Sequence, residues 1–116
     1  MKLNLIEQVI EANKNLKKGV KEFGEVTTPI SLVEEMLDTL PKEIWTQPNK
    51  TWLDPCAGTG IFPAAIVTRL MKTLVEFEPD ENKRYKHIME NMIYVYELQE
   101  KNVIIYKSIF DRNNEL

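Results

Sequence analysis

The segment Asp54-Pro55-Cys56-Ala57-Gly58-Thr59-Gly60, together with Glu97, holds the residues whose types and spacing suit ligand chemistry. Gly58 can adopt a positive φ or let a ligand lie against the backbone. Gly60 lets the next helix start close by, with its unpaired N–H groups facing a bound molecule. Asp54, at the carboxyl end of a strand, adds a carboxylate that accepts from an ammonium group or positions an ordered water. The arrangement suits a zwitterion better than a pyrophosphate, which the carboxylate repels. The phosphate-binding patterns fail on spacing: no Gly-x-x-x-x-Gly-Lys-Ser/Thr occurs, and Pro63 stands where the dinucleotide pattern needs its third glycine. Glu97, just past a second buried strand, can take both hydroxyls of a ribose. Its separation from Asp54 exceeds the usual acid spacing of about 20 residues, so an enlarged connection through Lys72 to Arg84 is required.

The remaining reactive side chains read as structural. His87 is the sole histidine and belongs to a helix face beside Lys83 and Asn91, with no second ligand in reach for a metal. Cys56, the sole cysteine, has no histidine base nearby in sequence and reads as loop packing. Lys14, Lys17, Lys18 and Lys21 suit the carboxyl end of a solvated helix, and Lys83, Arg84 and Lys86 form a smaller cluster of the same kind. Trp45 and Trp52 read as core anchors. No catalytic residue and no metal ligand is assigned.

The elements that must position the loop follow from periodicity. Leu3 to Val20 reads as an amphipathic helix, with Leu3, Ile6, Val9 and Ile10 at three- and four-residue steps and Gly19 and Gly24 bracketing its end. Thr27-Thr28-Pro29 is a helix start, with Pro29 at the first helical position and Thr28 as the cap. Leu32, Val33, Met36, Leu37 and Leu40 share a face of that helix, and Pro41 stops it. Ile44 and Trp45 pin the polar stretch that follows. Lys50 to Leu53 reads as a short buried strand, Ile61 to Leu74 as a helix, and Asp80 to Met92 as another with Tyr85, Ile88, Met89 and Met92 inward. Ile93 to Tyr96 is strand-prone. Asn102 to Phe110 fits a strand by the propensity of Val103-Ile104-Ile105-Tyr106 and a helix by the shared face of Val103, Tyr106, Lys107 and Phe110. Strand, loop, helix, then helix and strand is the grammar of a parallel α/β sheet.

Composition bounds these readings. At 116 residues, 43% hydrophobic and 28% charged, the chain suits one ordinary globular domain. A net charge of −3 gives no global basic field, so any nucleic acid partner must be held by a local patch or another polypeptide. One cysteine excludes an intrachain disulfide and points to a reducing, intracellular, cytoplasmic setting. The start lacks the unbroken apolar stretch of a signal peptide, and no segment suits a membrane span.

Two motifs together resemble adenine-specific N6 DNA methyltransferases of the S-adenosylmethionine-dependent class I type. Phe23-Gly24-Glu25-Val26-Thr27-Thr28-Pro29 is similar to the family's F-G-E-V-F/Y-T-P motif, with Thr27 in place of the aromatic. Trp52-Leu53-Asp54-Pro55-Cys56-Ala57-Gly58-Thr59-Gly60-Ile61-Phe62 is similar to its L-D-P-x-x-G-x-G-x-F motif, and Met92 to Leu98 resembles its second strand. The resemblance implies a truncated class I methyltransferase (Rossmann-like) fold, helix-rich with a small parallel sheet. Residues 1–22 would be an amphipathic helix and residues 23–116 a partial cofactor-binding domain. It also favours helix over strand for Asn102 to Phe110.

By the same resemblance the cofactor is S-adenosyl-L-methionine. Thr28 and Pro29 would lie beside its methionine end, Asp54, Gly58 and Gly60 would form the glycine-loop wall, Glu97 would hold the ribose, and Leu98 would lie against the adenine. The family's Asn/Asp-Pro-Pro-Phe/Tyr motif, which positions the target amine, does not occur in these 116 residues. The expectation is a cofactor-binding fragment inactive alone, with DNA reached through a complementing subunit and the partial sheet covered by self-association or a protein partner. The alternative is a non-catalytic, methylase-derived protein-binding module or a truncated remnant.

Overall fold

A computed structural model describes residues 4–19 and 28–112, the side chains of residues 16–19 excepted. Leu3, the Phe23 to Thr27 part of the first motif, Val20, Lys21 and Asn113 lie outside the described residues, as do the Lys17 and Lys18 side chains.

Helix α1 (Leu5–Gly19) opens with a capping box. Asn4 Oδ1 accepts from the Glu7 N–H at 2.8 Å, and Glu7 Oε1 accepts from the Asn4 N–H at 3.3 Å, so each satisfies a donor that the first turn leaves unpaired. Helix α2 (Ile30–Asp38) begins differently from the sequence expectation. Pro29, not Thr28, is its cap residue, with no side-chain capping bond. The ring fixes φ at −62° while ψ stays extended at 142°, which aims the Pro29 carbonyl at the Leu32 and Val33 N–H groups. The α2 face is also narrower than expected: Val33 and Leu37 are buried, whereas Leu32 and Met36 are exposed. A nine-residue helix packed chiefly on one neighbour buries only the residues that point at it.

A 3₁₀ turn over Lys42–Thr46 buries Trp45 as expected. Trp45 stacks on Trp52 with ring centroids 4.7 Å apart, and the Thr73 hydroxyl donates to its carbonyl. Arg69 lies over the Trp45 ring and pairs with Glu34 and Asp38, which ties α2, the turn and the next helix together.

That next helix, α3 (Ile61–Thr73), is the centre of the molecule. Pro63, Ala64, Ala65, Val67 and Leu70 are fully buried or nearly so, because α1, α2 and helix α4 (Glu81–Asn91) all pack around it. Pro63 costs no hydrogen bond in the first turn, where its missing N–H has no intrahelical partner. Asp80 caps α4 by accepting from the Lys83 N–H at 2.9 Å, and Tyr85, Ile88, Met89 and Met92 all turn inward.

Strands β1 (Trp52–Asp54) and β2 (Ile93–Val95) pair in parallel, Trp52 with Ile93, Leu53 with Tyr94 and Asp54 with Val95. The enlarged connection expected between them is the α3–α4 pair. The expectation of a buried first strand does not hold at Leu53, which is 69% exposed. The helices cover one face of the pair, so strand alternation sends Leu53 and Tyr94 to the other. Helix α5 (Glu100–Phe110) closes the described chain, and Asn102 to Phe110 is helical rather than extended. Tyr106 and Phe110 fall on one helical face and both are buried, an arrangement that outweighs the β-propensity of Val103 to Ile105.

The fold places the burden of stability on α3 and little on the open strand face. Leu70→Ala should lower unfolding free energy by about 2–5 kcal/mol, and Leu53→Ser should change it by no more than about 0.5 kcal/mol. Urea denaturation of the two variants checks both values.

Candidate functional site

Parallel pairing carries the ends of β1 and β2 to the same side of the molecule, which is how Asp54 and Glu97 come together. The pairing continues past the strands: Tyr96 N–H donates to the Asp54 carbonyl at 2.9 Å, and Ala57 N–H to the Tyr96 carbonyl at 3.1 Å. The glycine loop is thereby stitched to the residue before Glu97.

The Glu97 carboxylate completes the join. Oε1 accepts from the Gly58 N–H at 2.9 Å, and Oε2 from the Gln99 N–H at 2.9 Å and the Asn102 Nδ2 at 3.2 Å. Burial alone would raise its pKa; the backbone bonds from Gln99 and Gly58 and the amide of Asn102 outweigh burial and hold it below its ordinary 4.5. Glu97 is therefore ionised at neutral pH, and its charge sits at the amino end of α5, where the helix dipole favours an anion.

Asp54 uses one oxygen locally, Oδ1 accepting from the Cys56 N–H at 3.0 Å. Its other oxygen, Oδ2, is buried with no partner. Tyr106 stands near enough to Asp54 to sense its charge; burial, then Tyr85 and Asp54, push the phenol well up, so it stays neutral.

Asp54, Gly58, Glu97 and Asn102 line a cavity of about 440 Å³ together with Thr28, Cys56, Phe62 and Asn13, within the usual range for small-molecule sites. Four of the residues singled out from sequence thus meet at one place: Thr28, Asp54, Gly58 and Glu97. Pro29, Gly60 and Leu98 do not line it. Pro29 is the cap of α2, and Leu98 is 83% exposed.

The two glycines have different reasons to be glycine. Both have positive φ, +58° at Gly58 and +107° at Gly60. A Cβ on Gly58 would meet nothing within 4 Å, so the space over it is open. A Cβ on Gly60 would come within 2.8 Å of Phe110 Cε1 and 2.9 Å of Tyr106 Cδ2. Gly60 therefore serves the packing of α5 on the loop. Its N–H is also taken, donating to the Ala57 carbonyl at 2.9 Å, so it does not face the cavity as a free donor.

Two lining residues carry no sequence signal. Asn13 of α1 accepts from the Thr59 hydroxyl at 2.5 Å, and Asn102 of α5 donates to Glu97; each is an isolated asparagine in a helical stretch, outside any motif. Cys56, read as loop packing, is exposed instead, because the turn after Asp54 points it outward into the cavity mouth. His87 is partly packed, with Nε2 2.8 Å from the Pro48 carbonyl and its ring against Phe77.

A parallel pair with a glycine loop after its first strand and an acid after its second is the arrangement of α/β domains that bind a nucleoside cofactor. Comparison with known proteins narrows the class. A Mycoplasma pneumoniae protein named an uncharacterized adenine-specific methylase is 42% identical to this chain over 90 residues, covering 72% of the chain and 21% of that protein. The chain is a relative of an adenine-specific methylase, as its motifs suggest, and it spans about a fifth of that relative's length. No family model and no solved structure matches it. Among the described residues no helix is long and apolar enough to cross a membrane.

The glycine geometry gives a direct test. Gly58→Ala should cost about 1–2 kcal/mol of stability, the strain of a left-handed residue alone. Gly60→Ala should cost about 2–5 kcal/mol, because strain is joined by a clash with α5. Thermal or urea unfolding of the two variants should rank them in that order.

Proposed function

We propose that the chain is the S-adenosylmethionine-binding part of a DNA adenine N6-methyltransferase. The observation that carries the reading is that Asp54 and Glu97 line one cavity, with a buried Asp54 oxygen left without a donor. A carboxylate oxygen in that state is costly unless a donor arrives, and a cofactor ammonium supplies one. Ionised Glu97, which lines the same cavity, suits ribose hydroxyls, and two carboxylates favour a ligand that also bears a sulfonium cation. Thr28 offers a hydroxyl at the same wall, and bare Gly58 lets the ligand lie against the backbone. The relative named an adenine-specific methylase supports the same cofactor and reaction class.

When bound, S-adenosylmethionine supplies an electrophilic methyl group. What these residues contribute is binding and orientation. Holding a flipped adenine so that its amine meets that methyl requires acceptors on the amine and a stacking ring, and the family's motif for this is not among the 116 residues. Strands that continue the sheet, from the same or another polypeptide, would supply it and would bring the DNA contacts. Those strands would add at the edges of the β1–β2 pair, and the helices that connect them would cover the open face bearing Leu53 and Tyr94, since parallel sheets are covered on both faces.

Calorimetric titration with S-adenosylmethionine and S-adenosylhomocysteine tests the binding. Both should bind, Glu97→Gln should weaken both by about 1.5–3 kcal/mol, and Gly58→Val should weaken them further by filling the approach. Alkylation of Cys56, at the cavity mouth, should slow when cofactor is present. No wild-type binding at millimolar cofactor, or unchanged affinity in both variants, overturns the reading.

A second expectation concerns the reaction itself. The 116-residue polypeptide incubated with labelled cofactor and adenine-containing DNA should show background incorporation only. Clear single-turnover transfer by the homogeneous protein would place the amine-holding groups within these residues.

A further inference from the structure

No lysine, arginine or histidine stands among the described residues that line the cavity, whereas two carboxylates, Asp54 and Glu97, do. An anionic group on a ligand must therefore be held there by neutral donors. The side-chain donors of the lining are few. The Asn102 amide nitrogen is given to Glu97, and the Thr59 hydroxyl to Asn13. What remains is the Thr28 hydroxyl, the weakly donating Cys56 thiol and the amide nitrogen of Asn13.

The structure fixes which way the Asn13 amide points. Thr59 is 5% exposed, and its hydroxyl donates to Asn13 Oδ1 at 2.5 Å. Were the amide turned over, Nδ2 would face that hydroxyl, whose buried proton would then have no acceptor among the described residues. Oδ1 therefore stays with the loop, and Nδ2 is the free end. Nδ2 has no partner among the described residues and is not one of the enclosed polar atoms, on a half-buried side chain of the cavity wall. An amide nitrogen only donates, so it recognises an acceptor. Resting on the cofactor reading above, we propose that Asn13 is a further cofactor-binding residue, its Nδ2 donating to the α-carboxylate of S-adenosylmethionine. The cofactor's ammonium and carboxylate stand on one carbon, so an ammonium received by Asp54 brings the carboxylate to the same cavity, where the acids repel it and Asn13, with Thr28, supplies donors. Helix α1 lies outside both sequence motifs, yet it then belongs to the site, one side chain holding the glycine loop through Oδ1 and the ligand through Nδ2.

The test titrates S-adenosylhomocysteine and its decarboxylated analogue, which keeps the amine and the nucleoside, into the full chain and into Asn13→Asp, with folding checked by circular dichroism. Aspartate keeps an acceptor for Thr59 and puts a charged acceptor where Nδ2 stood. The variant should bind S-adenosylhomocysteine about tenfold more weakly than wild type, or weaker still. It should bind the decarboxylated analogue no more weakly than wild type does. Equal losses for both ligands would mean that Asn13 only shapes the loop, and would overturn the proposal while leaving the cofactor reading intact. Unchanged affinity for S-adenosylhomocysteine in the variant would overturn it too. Failure of the wild type to bind S-adenosylhomocysteine at all would overturn the cofactor reading and this proposal with it. If Asn13→Asp does not fold, Asn13→Ala, which removes the amide altogether, is compared in the same way, the larger loss again falling on the ligand that bears the carboxylate.

Discussion

The hydrogen bond from the Gly58 N–H to Glu97 Oε1 is the interaction on which the site depends. It joins the loop after β1 to the residue after β2. The same carboxylate receives the Gln99 N–H and the Asn102 amide, so loop, strand end and α5 meet on one charged group. A bond to an ionised acceptor is shorter and stronger than one between neutral groups, and three donors keep the acid ionised in a half-buried position. Gly60, Tyr106 and Phe110 add close packing between the loop and α5.

Much of this was legible in the sequence because the signals were local. Glycines after an aspartate and a proline, and an acid after a strand-prone run, each act through backbone or charge at short range. The helices over Leu5–Gly19, Ile61–Thr73 and Glu81–Asn91 follow from apolar spacing alone. What sequence could not carry was direction relative to neighbours. Leu53 reads as buried because it is leucine in a strand, yet the helices lie on the other face. Thr28 reads as a cap because threonine before proline often is one, yet ψ at Pro29 moves the helix start one residue on. Gly60 reads as a ligand contact, yet the space it vacates is filled by α5. Asn13 and Asn102 are invisible without coordinates, since a lone asparagine in a helix has no pattern to betray what it touches.

The core and the site share their material. α3 begins where the loop ends, so the helix that anchors α1, α2 and α4 also fixes where Gly58 and Gly60 stand. Asn13 adds a tie from α1 to Thr59, next in the loop after Gly58. Successive loop residues are thus held by different elements, Gly58 by the acid after β2 and Thr59 by α1, which fixes the shape of the wall. Preorganisation of this kind reduces the ordering cost that binding must overcome.

The Gly58–Glu97 bond also links residues 39 apart in sequence. Such a bond closes a stretch of chain that contains α3 and α4, so a short peptide spanning the loop alone would not retain the shape the bond fixes. The Gly58 amide is accordingly a reporter in deuterium solvent. Its exchange tracks opening of the β1–β2 junction rather than fraying of a surface turn, in a loop where Cys56, two residues earlier, lies open to solvent.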